Sequence, residues 1–559
     1  MLNLLILIPR NKACHPGDMV VPIMQRLFQR QGFAECRTAE KEQALRQPLT
    51  GCDVVILFKE AEKLDPAEEK HLCEFVRQGG GFVGVHAASD CSEDNQEYIN
   101  LLGAKFVDHD PGLPTGKVFF NNTNHPLARD MSDFTITDEF YQLDVRDKKA
   151  DVFLSFMRHG VQMPLALTKT YGKGRVFYMG LGHHEPVYHH PSFQRLLMRG
   201  VVFAAGKYPE KINPIGVGFL GFKKGAISEY HHRFIRGVKP FKPTAVCDIS
   251  APNREMAEKE FGLKSYSRPE DMLKDDNVRM VVIAIPPYLH CPEALRAMES
   301  GRHVVVEKPL ALSMDDADRM MECARRNKVM LACFQNRRWD QHYLASKRLI
   351  GKRENLGEVF EIRLDFGGYM SPSSDWRSDK KLSGGNLYDM GAHGIDWILN
   401  LIDKPVVGVS GYCLHRMWPM ATNETHSKVV IRFRDGETAT YTDSLIHAGK
   451  QPESLTILGT EGSIIFPKVF DDEMQWTRVM DGKQISSQVN CCSDGDHTGS
   501  GSLWAQFYHD IADHLLLGLP KAVTPESSAR VTGIIETAYK SAELGRELPF
   551  DDKYFCLRI

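Results

Sequence analysis

Over the first two hundred positions, apolar residues fall in short runs of strand length set between segments whose apolar positions recur every three or four residues. The runs are "LNLLILI", "CDVVILF", "GFVGVHA" and "GRVFYMGLG"; the helical segments include "PIMQRLFQRQG", "PAEEKHLCEFVRQGG" and "FQRLLMRGVVFAAG". Glycine-flanked runs alternating with amphipathic helices predict a parallel sheet with helices on its faces. The charged, proline-bearing segment "GKYPEKINP" (206–214) reads as a linker. After it the alternation restarts: "IGVGFLG", "TAVCDIS", "VRMVVIAIPP", "HVVVEKP" and "VMLACF", with helical segments such as "NREMAEKEFG" and "MDDADRMMECARRN" between them. Beyond about position 336 the strands lengthen, and "VVIRFRDGETATYTD" carries Asp435-Gly436 at a hairpin turn, so a mostly antiparallel sheet is expected. Near the end, "LWAQFYHDIADHLLLG" places Leu503, Phe507, Ile511 and Leu515 four apart, a helix with one apolar stripe. Three units are expected: 1–208, 209–336 and 337–559.

A chain of 559 residues exceeds what one core can organise, which agrees with that division. The net charge of −3 supplies no basic field, so nucleic acid is not an expected partner. "MLNLLILIPR" lacks a basic segment before its apolar run and a cleavage site after it, and no later stretch reaches membrane-span length. A cytoplasmic protein with no membrane partner is expected. Thirteen cysteines, an odd number without metal spacing, read as reduced thiols; Cys491 and Cys492 are the only close pair, next to the Gly/Ser-rich loop 494–502.

The segment "GVGFLGFKKGA" contains a literal G-x-G-x-x-G at Gly216, Gly218 and Gly221. A dinucleotide-binding turn starts at the end of the first strand, where the next helix offers its N–H groups to a pyrophosphate. Gly216 and Gly218 fall inside the strand, so the turn is expected to run from Gly221 through Phe222 and Lys223 to Ala226. Lys223 then stands where a second glycine would allow close backbone approach, which weakens the motif. Asp248, at the end of the next strand, occupies the usual place of the acid that binds a ribose 2′-OH and favours NAD over NADP. It reads equally as a turn residue or a helix N-cap.

Three further segments, "AIPPYLH" (284–290), "HVVVEKPLA" (303–311) and "SGGNLYDMGAHGIDWIL" (383–399), share one logic. Oxidising a secondary alcohol needs a base for its proton and a positive group near the developing alkoxide. Asp389 and His393 lie i, i+4, so on a helix the carboxylate could orient the imidazole, which is the candidate acid/base. Together with Asp248, "QNRRW" (335–339), "DWR" (375–377) and "LGTEGS" (458–463), these segments resemble the glucose-fructose oxidoreductase / inositol dehydrogenase (Gfo/Idh/MocA) family over about 213–559. The resemblance implies a Rossmann domain followed by an α+β domain with an open, mostly antiparallel sheet; an open sheet face often finds a partner, so a homo-oligomer through it is expected. It assigns catalysis to Lys308, Asp389 and His393, and adds Pro286, His290, Glu307, Lys308 and Gln335 to Gly221, Phe222, Lys223 and Asp248 around NAD or NADP. Arg337, Trp376 and Arg377 are candidate substrate contacts or structural ion pairs.

The first unit is similar to the ThuA-like (trehalose-utilisation) family, related in fold to class I glutamine amidotransferases (flavodoxin-like α/β), through "GGGFVGVHAASD" (79–90), "DEFYQL" (138–143) and "GRVFYMGLGHHEPVYHHPSFQRLLMRGVVFAAG" (174–206). His86 holds the elbow where an amidotransferase has its cysteine, which disfavours glutaminase chemistry. His86, His109, Glu139 and His183 are expected in one crevice, as acid/base groups or metal ligands. "HEPVYH" is not a zinc H-E-x-x-H, since Tyr188 stands at the last position. The expected activity is hydride transfer on a sugar, polyol or glycoside, with the first unit acting in the same carbohydrate pathway. A second hypothesis is a sensing protein whose degenerate glycine loop has lost turnover; a third is a cofactor held tightly and regenerated in place.

Overall fold

The computed structural model describes residues 1–8, 17–58, 63–351, 353–449, 454–468, 473–490 and 503–555. Cys491, Cys492 and the loop 494–502 lie outside these residues. The first apolar run forms strand Leu2–Ile8, paired in parallel with Ala34–Glu40 on one side and Val54–Leu57 on the other. Gly81–Val85 and Gly174–Met179 continue the parallel set. From there the sheet turns antiparallel through Val161–Tyr171, Asp151–Arg158, Thr115–Phe120 and Phe134–Thr137, nine strands in all. The expected parallel alternation thus describes one half of a mixed sheet. Thr115–Phe120 alternates exposed Thr115 and Lys117 with buried Val118 and Phe120, the weaker pattern of a strand wet on one face.

In the second unit six strands, Ile215–Leu220, Phe241–Cys247, Lys264–Tyr266, Met280–Ile283, His303–Val306 and Leu331–Cys333, are all parallel. Counted along the chain, their order in the sheet is 3-2-1-4-5-6, the doubly wound arrangement whose ligand crevice opens beside the first strand. Gly216 and Gly218 lie within the first strand, as expected. A Cβ on Gly216 would stand 1.7 Å from the Asn277 carbonyl oxygen, so that glycine serves packing.

The third unit is a nine-stranded sheet that is antiparallel except where Val359–Gly367 runs parallel to Thr438–Ser444. Gly436, at φ +102°, makes the expected turn after His426–Phe433. Helices Ala392–Leu401 and Pro525–Leu544 contribute Ile395, Trp397, Ile534 and Ile535 to the core on one sheet face. Phe360, Tyr412 and Leu414 remain exposed.

The late helix, Gln506–Leu517, turns the expected stripe of Phe507, Ile511 and Leu515 to one core, with Leu503 in the turn just before it, and buries a second face as well. Phe507, Tyr508 and Ile511 complete the core of the Rossmann sheet, while Leu517 joins the core of the first unit. Between them Asp513 accepts from Arg195 Nε and from Arg199 Nη2, each at 2.7 Å. One short helix therefore locks two domains that precede it by hundreds of residues. The nine cysteines among the described residues are unpaired. Among those residues no helix is long and apolar enough to cross a membrane.

Candidate active site

Lys308 follows the strand His303–Val306 at the carboxyl edge of the Rossmann sheet. Its ammonium donates to the Asp389 carbonyl oxygen at 3.0 Å and forms an ion pair with the Asp389 carboxylate. Asp389 sits in a single π-helical turn, Leu387–Gly391, which opens directly into the helix Ala392–Leu401 that carries His393. Such turns recur at functional sites because they re-aim side chains out of α register. The Lys308 ammonium holds the Asp389 carboxyl below its ordinary range, against the opposing effect of burial.

The expected Asp389–His393 pairing is not what forms: the carboxylate is committed to Lys308, and the buried Nδ1 of His393 has no partner. His393 is only 5% exposed, and burial, with the charges of Lys308 and Arg337 added, pushes its pKa well below the ordinary value. The ring is neutral at pH 7 and has acceptor capacity. A fixed cation thus stands near enough to a neutral imidazole for its charge to act on the ring, and these are the two groups that an alcohol–ketone interconversion requires.

Around this centre the other candidates separate by what they touch. Glu307 accepts from the Lys308 backbone N–H at 3.0 Å and from His231 Nε2 at 2.8 Å, and His231 Nδ1 lies 2.6 Å from the Tyr508 hydroxyl. With Glu307 ionised, His231 carries its proton on Nε2 and accepts from Tyr508, so the late helix braces the backbone of Lys308. His231 and Tyr508 had no motif to announce them. His290 is buried, with Nδ1 2.8 Å from the Pro309 carbonyl oxygen and Nε2 2.9 Å from that of Ile285. It ties the loop holding Pro286 to the turn after Lys308. Gln335 donates to the Ala392 carbonyl at 3.2 Å, while its buried Oε1 has no partner. Arg337 lies 3.4 Å from Asp340 and over the Trp504 ring. Arg377 pairs with Asp375 at 2.6 Å and stacks over Trp376, on a half-exposed turn whose charges reach Asp389.

The nucleotide cradle follows the expected register. Gly221 has φ +81°, and a Cβ there would lie 2.6 Å from the Ala284 carbonyl oxygen, so only glycine fits. Asp248 accepts from the Phe222 N–H at 2.9 Å and from the Ser250 N–H at 2.8 Å, which ends the second strand beside the turn. Lys223 is exposed, and its backbone N–H goes to Ser228 Oγ at 3.0 Å. Arg254, which sequence reasoning passed over, donates to the carbonyls of Asp248 and Ile249 and places a cation at this corner. The strand order, the obligatory glycine and the strand-end acid together fit a dinucleotide.

In the first unit the four expected residues do meet. His86 begins a 3₁₀ turn directly after Gly81–Val85, with φ +47°, a left-handed conformation that is strained for a non-glycine residue. Its Nδ1 lies 2.8 Å from the Gly180 carbonyl oxygen, and its Nε2 lies 3.2 Å from both Glu139 Oε2 and His183 Nδ1. His183 Nδ1 is 3.0 Å from Glu139 Oε2, and His109 Nδ1 is 3.2 Å from Glu139 Oε1. Burial alone would raise the Glu139 pKa, but hydrogen bonds from His183 and His86 hold it far below the ordinary range. Two supports escaped the sequence reading. Asp138, fully buried, accepts from the backbone N–H groups of Gly182 and His183, and Tyr141 packs on the His86 ring with centroids 4.0 Å apart.

These features define a dinucleotide-binding α/β protein with a lysine–carboxylate–histidine centre, fused to a second α/β domain that carries a histidine–glutamate cluster. The oxidoreductase family model (NAD-binding Rossmann fold, GFO/IDH/MocA) matches residues 215–335, the GFO/IDH/MocA C-terminal domain matches 343–465, and the trehalose-utilisation (ThuA) model matches 6–204. The chain belongs to the Gfo/Idh/MocA oxidoreductase family, with a ThuA domain in front. It is 29% identical to glucose-6-phosphate 3-dehydrogenase of Bacillus subtilis over 34% of this chain and 55% of that enzyme. It is 22% identical to scyllo-inositol 2-dehydrogenase (NADP(+)) IolW of the same species, over 60% of this chain and 96% of the other. Among solved structures, an NAD-binding protein from Listeria innocua superposes with TM-score 0.54 at 26% identity, covering 61% of this chain and 99% of that one.

Proposed function

We propose that the chain is an NAD(P)-dependent oxidoreductase moving a hydride to or from a secondary alcohol or ketone of a sugar, polyol or glycoside. The observation that carries this reading is the Lys308–Asp389 ion pair beside the buried, neutral His393, at the carboxyl edge of the Rossmann sheet. Held by the turn at Gly221 and by Asp248, a nicotinamide dinucleotide would supply the hydride acceptor or donor. Lys308, fixed by Asp389, stabilises negative charge on the substrate oxygen, and His393 takes or returns the hydroxyl proton. Glu307, His231 and Tyr508 hold the backbone that presents Lys308. The names of the glucose-phosphate and inositol relatives support a carbohydrate-type substrate.

Asp248 supports NAD, since a carboxylate at the ribose corner repels a 2′-phosphate, while Arg254 supplies the opposing charge. The ThuA domain acts on a related intermediate of the same pathway, and the exposed face bearing Phe360 and Tyr412 forms a homo-oligomer contact in the cytoplasm. Binding of NADH and NADPH is read by fluorescence, then turnover of sugars and 3-keto sugars at the nicotinamide absorbance. Lys308→Ala and His393→Ala each lose roughly 10²–10⁴-fold in kcat. Failure to bind either nucleotide favours the sensing alternative, and wild-type turnover by His393→Ala removes that residue from the chemistry.

A further inference from the structure

The first unit holds a cluster that the redox reaction does not use. His86 Nε2, Glu139 Oε2 and His183 Nδ1 stand 3.2, 3.2 and 3.0 Å apart. Nitrogen and oxygen ligands about 2.0–2.1 Å from a tetrahedral zinc ion are separated by about 3.3–3.4 Å, so the three atoms already form nearly one face of that tetrahedron. The hydrogen bonding agrees. A carbonyl oxygen can only accept, so His86 Nδ1, 2.8 Å from the Gly180 carbonyl oxygen, donates to it, and Nε2 is the nitrogen turned toward Glu139 and His183. Nε2 is thereby placed to serve as a ligand atom beside the Glu139 carboxylate and His183 Nδ1. Donation of the second ring nitrogen to a backbone carbonyl is the usual support of a metal-bound histidine.

We propose that His86, Glu139 and His183 bind a divalent transition-metal ion of the zinc type, with His109 as a positioning residue. His109 Nδ1 lies 3.2 Å from Glu139 Oε1, the carboxylate oxygen outside the triangle, and 2.9 Å from the Asp110 carbonyl oxygen. With its N–H on the Asp110 carbonyl, the ring stands against Glu139 Oε1 and leaves Glu139 Oε2 for the ion. Asp138 fixes the loop that carries His183, through the N–H groups of Gly182 and His183. The His86 side chain is wholly buried, while those of Glu139 and His183 are 12% and 25% exposed, so the ion's remaining position opens on the solvent side. Three protein ligands and one open position are the pattern of catalytic rather than closed structural zinc sites. The ion would bind water or a carbohydrate oxygen there.

The test uses the full chain, stripped with a chelator and titrated with Co²⁺ while the visible d–d absorption is followed, with zinc content measured in parallel by mass spectrometry. One ion per chain is expected. Glu139→Gln and His183→Ala should lose at least roughly 100-fold in affinity and the tetrahedral Co²⁺ spectrum, whereas His109→Ala keeps the spectrum with roughly 10–100-fold weaker binding. Unchanged circular dichroism shows that each variant is folded. No saturable binding by the wild type, or equal binding by Glu139→Gln, overturns the proposal. The readout is independent of nicotinamide binding, so its failure leaves the redox reading untouched.

Discussion

Asp513 offers the sharpest test of how the three units are joined. It is 4% exposed and is the shared acceptor for Arg195 and Arg199, the latter 1% exposed. Asp513→Asn keeps the volume and removes the charge, leaving two guanidinium groups in a water-poor interface with only the more distant Asp130 as a counter-charge. Breaking a buried pair from one side costs about 3–5 kcal/mol, mostly from the uncompensated partner. A domain of this size shifts by about 2–4 °C per kcal/mol, so the first transition should fall by roughly 6–20 °C. Calorimetry is the assay, because three units need not melt together. The sign with pH is fixed as well. Burial would raise the Asp513 pKa, but Arg195 and Arg199 hold it well below the ordinary range. The gap between wild type and variant is therefore fully present above about pH 4 and shrinks only as pH falls below that. It should also survive added salt, since a buried pair is weakly screened. A shift under about 2 °C, or one abolished by salt, would refute the idea that this ion triad docks the first domain. As a converse, Asp513→Leu combined with Arg195→Met and Arg199→Met should recover most of the loss.

The remaining expectations are briefer. Gly221→Ala forces a Cβ to 2.6 Å from the Ala284 carbonyl oxygen at φ +81°, so it should cost more than about 1 kcal/mol and weaken NADH binding at least tenfold by fluorescence titration. Burial lowers His342 to about 3 and His514 to about 4, so both are neutral when folded and must charge on acid unfolding. Stability should be whole above about pH 6.5 and fall by up to roughly 2 kcal/mol per site by pH 5; a flat urea midpoint across that window would contradict this. Asp510 runs the other way, raised to about 6 by burial, so Asp510→Asn should stabilise the protein by roughly 1–3 kcal/mol at pH 7 and have little effect near pH 4. Arg254→Ala should weaken NADPH binding more than NADH binding; equal losses would remove Arg254 from cofactor choice.

Much of this was written in local pattern. Strand-length apolar runs between amphipathic segments gave the order of units, because burial on both faces of a parallel sheet leaves a continuous apolar signature. The register of the glycine turn was readable for a similar reason: Gly216 and Gly218 sit inside an apolar run, and a dinucleotide turn cannot begin before its strand ends. The antiparallel half of the first sheet was not legible, since strands such as Thr115–Phe120 bury only alternate residues. Nor was the true partner of Asp389. Spacing along one helix suggested His393, but a carboxylate goes to the nearest full charge, and Lys308 is brought to it from 81 positions away.

The amino-acid sequence by itself determined the succession of strands and amphipathic helices, the register of the turn at Gly221 and the strand end at Asp248, and the residue types that meet around Lys308 and Glu139. These follow from periodicity and backbone demands that act over a few residues. Only the tertiary structure decided that Glu307 braces Lys308 through His231 and Tyr508. It also decided that one late helix is shared by two earlier cores, and that three lone-pair donors from distant loops meet within 3.2 Å. Those facts depend on contacts across large loop closures, whose partners leave no periodic trace along the chain.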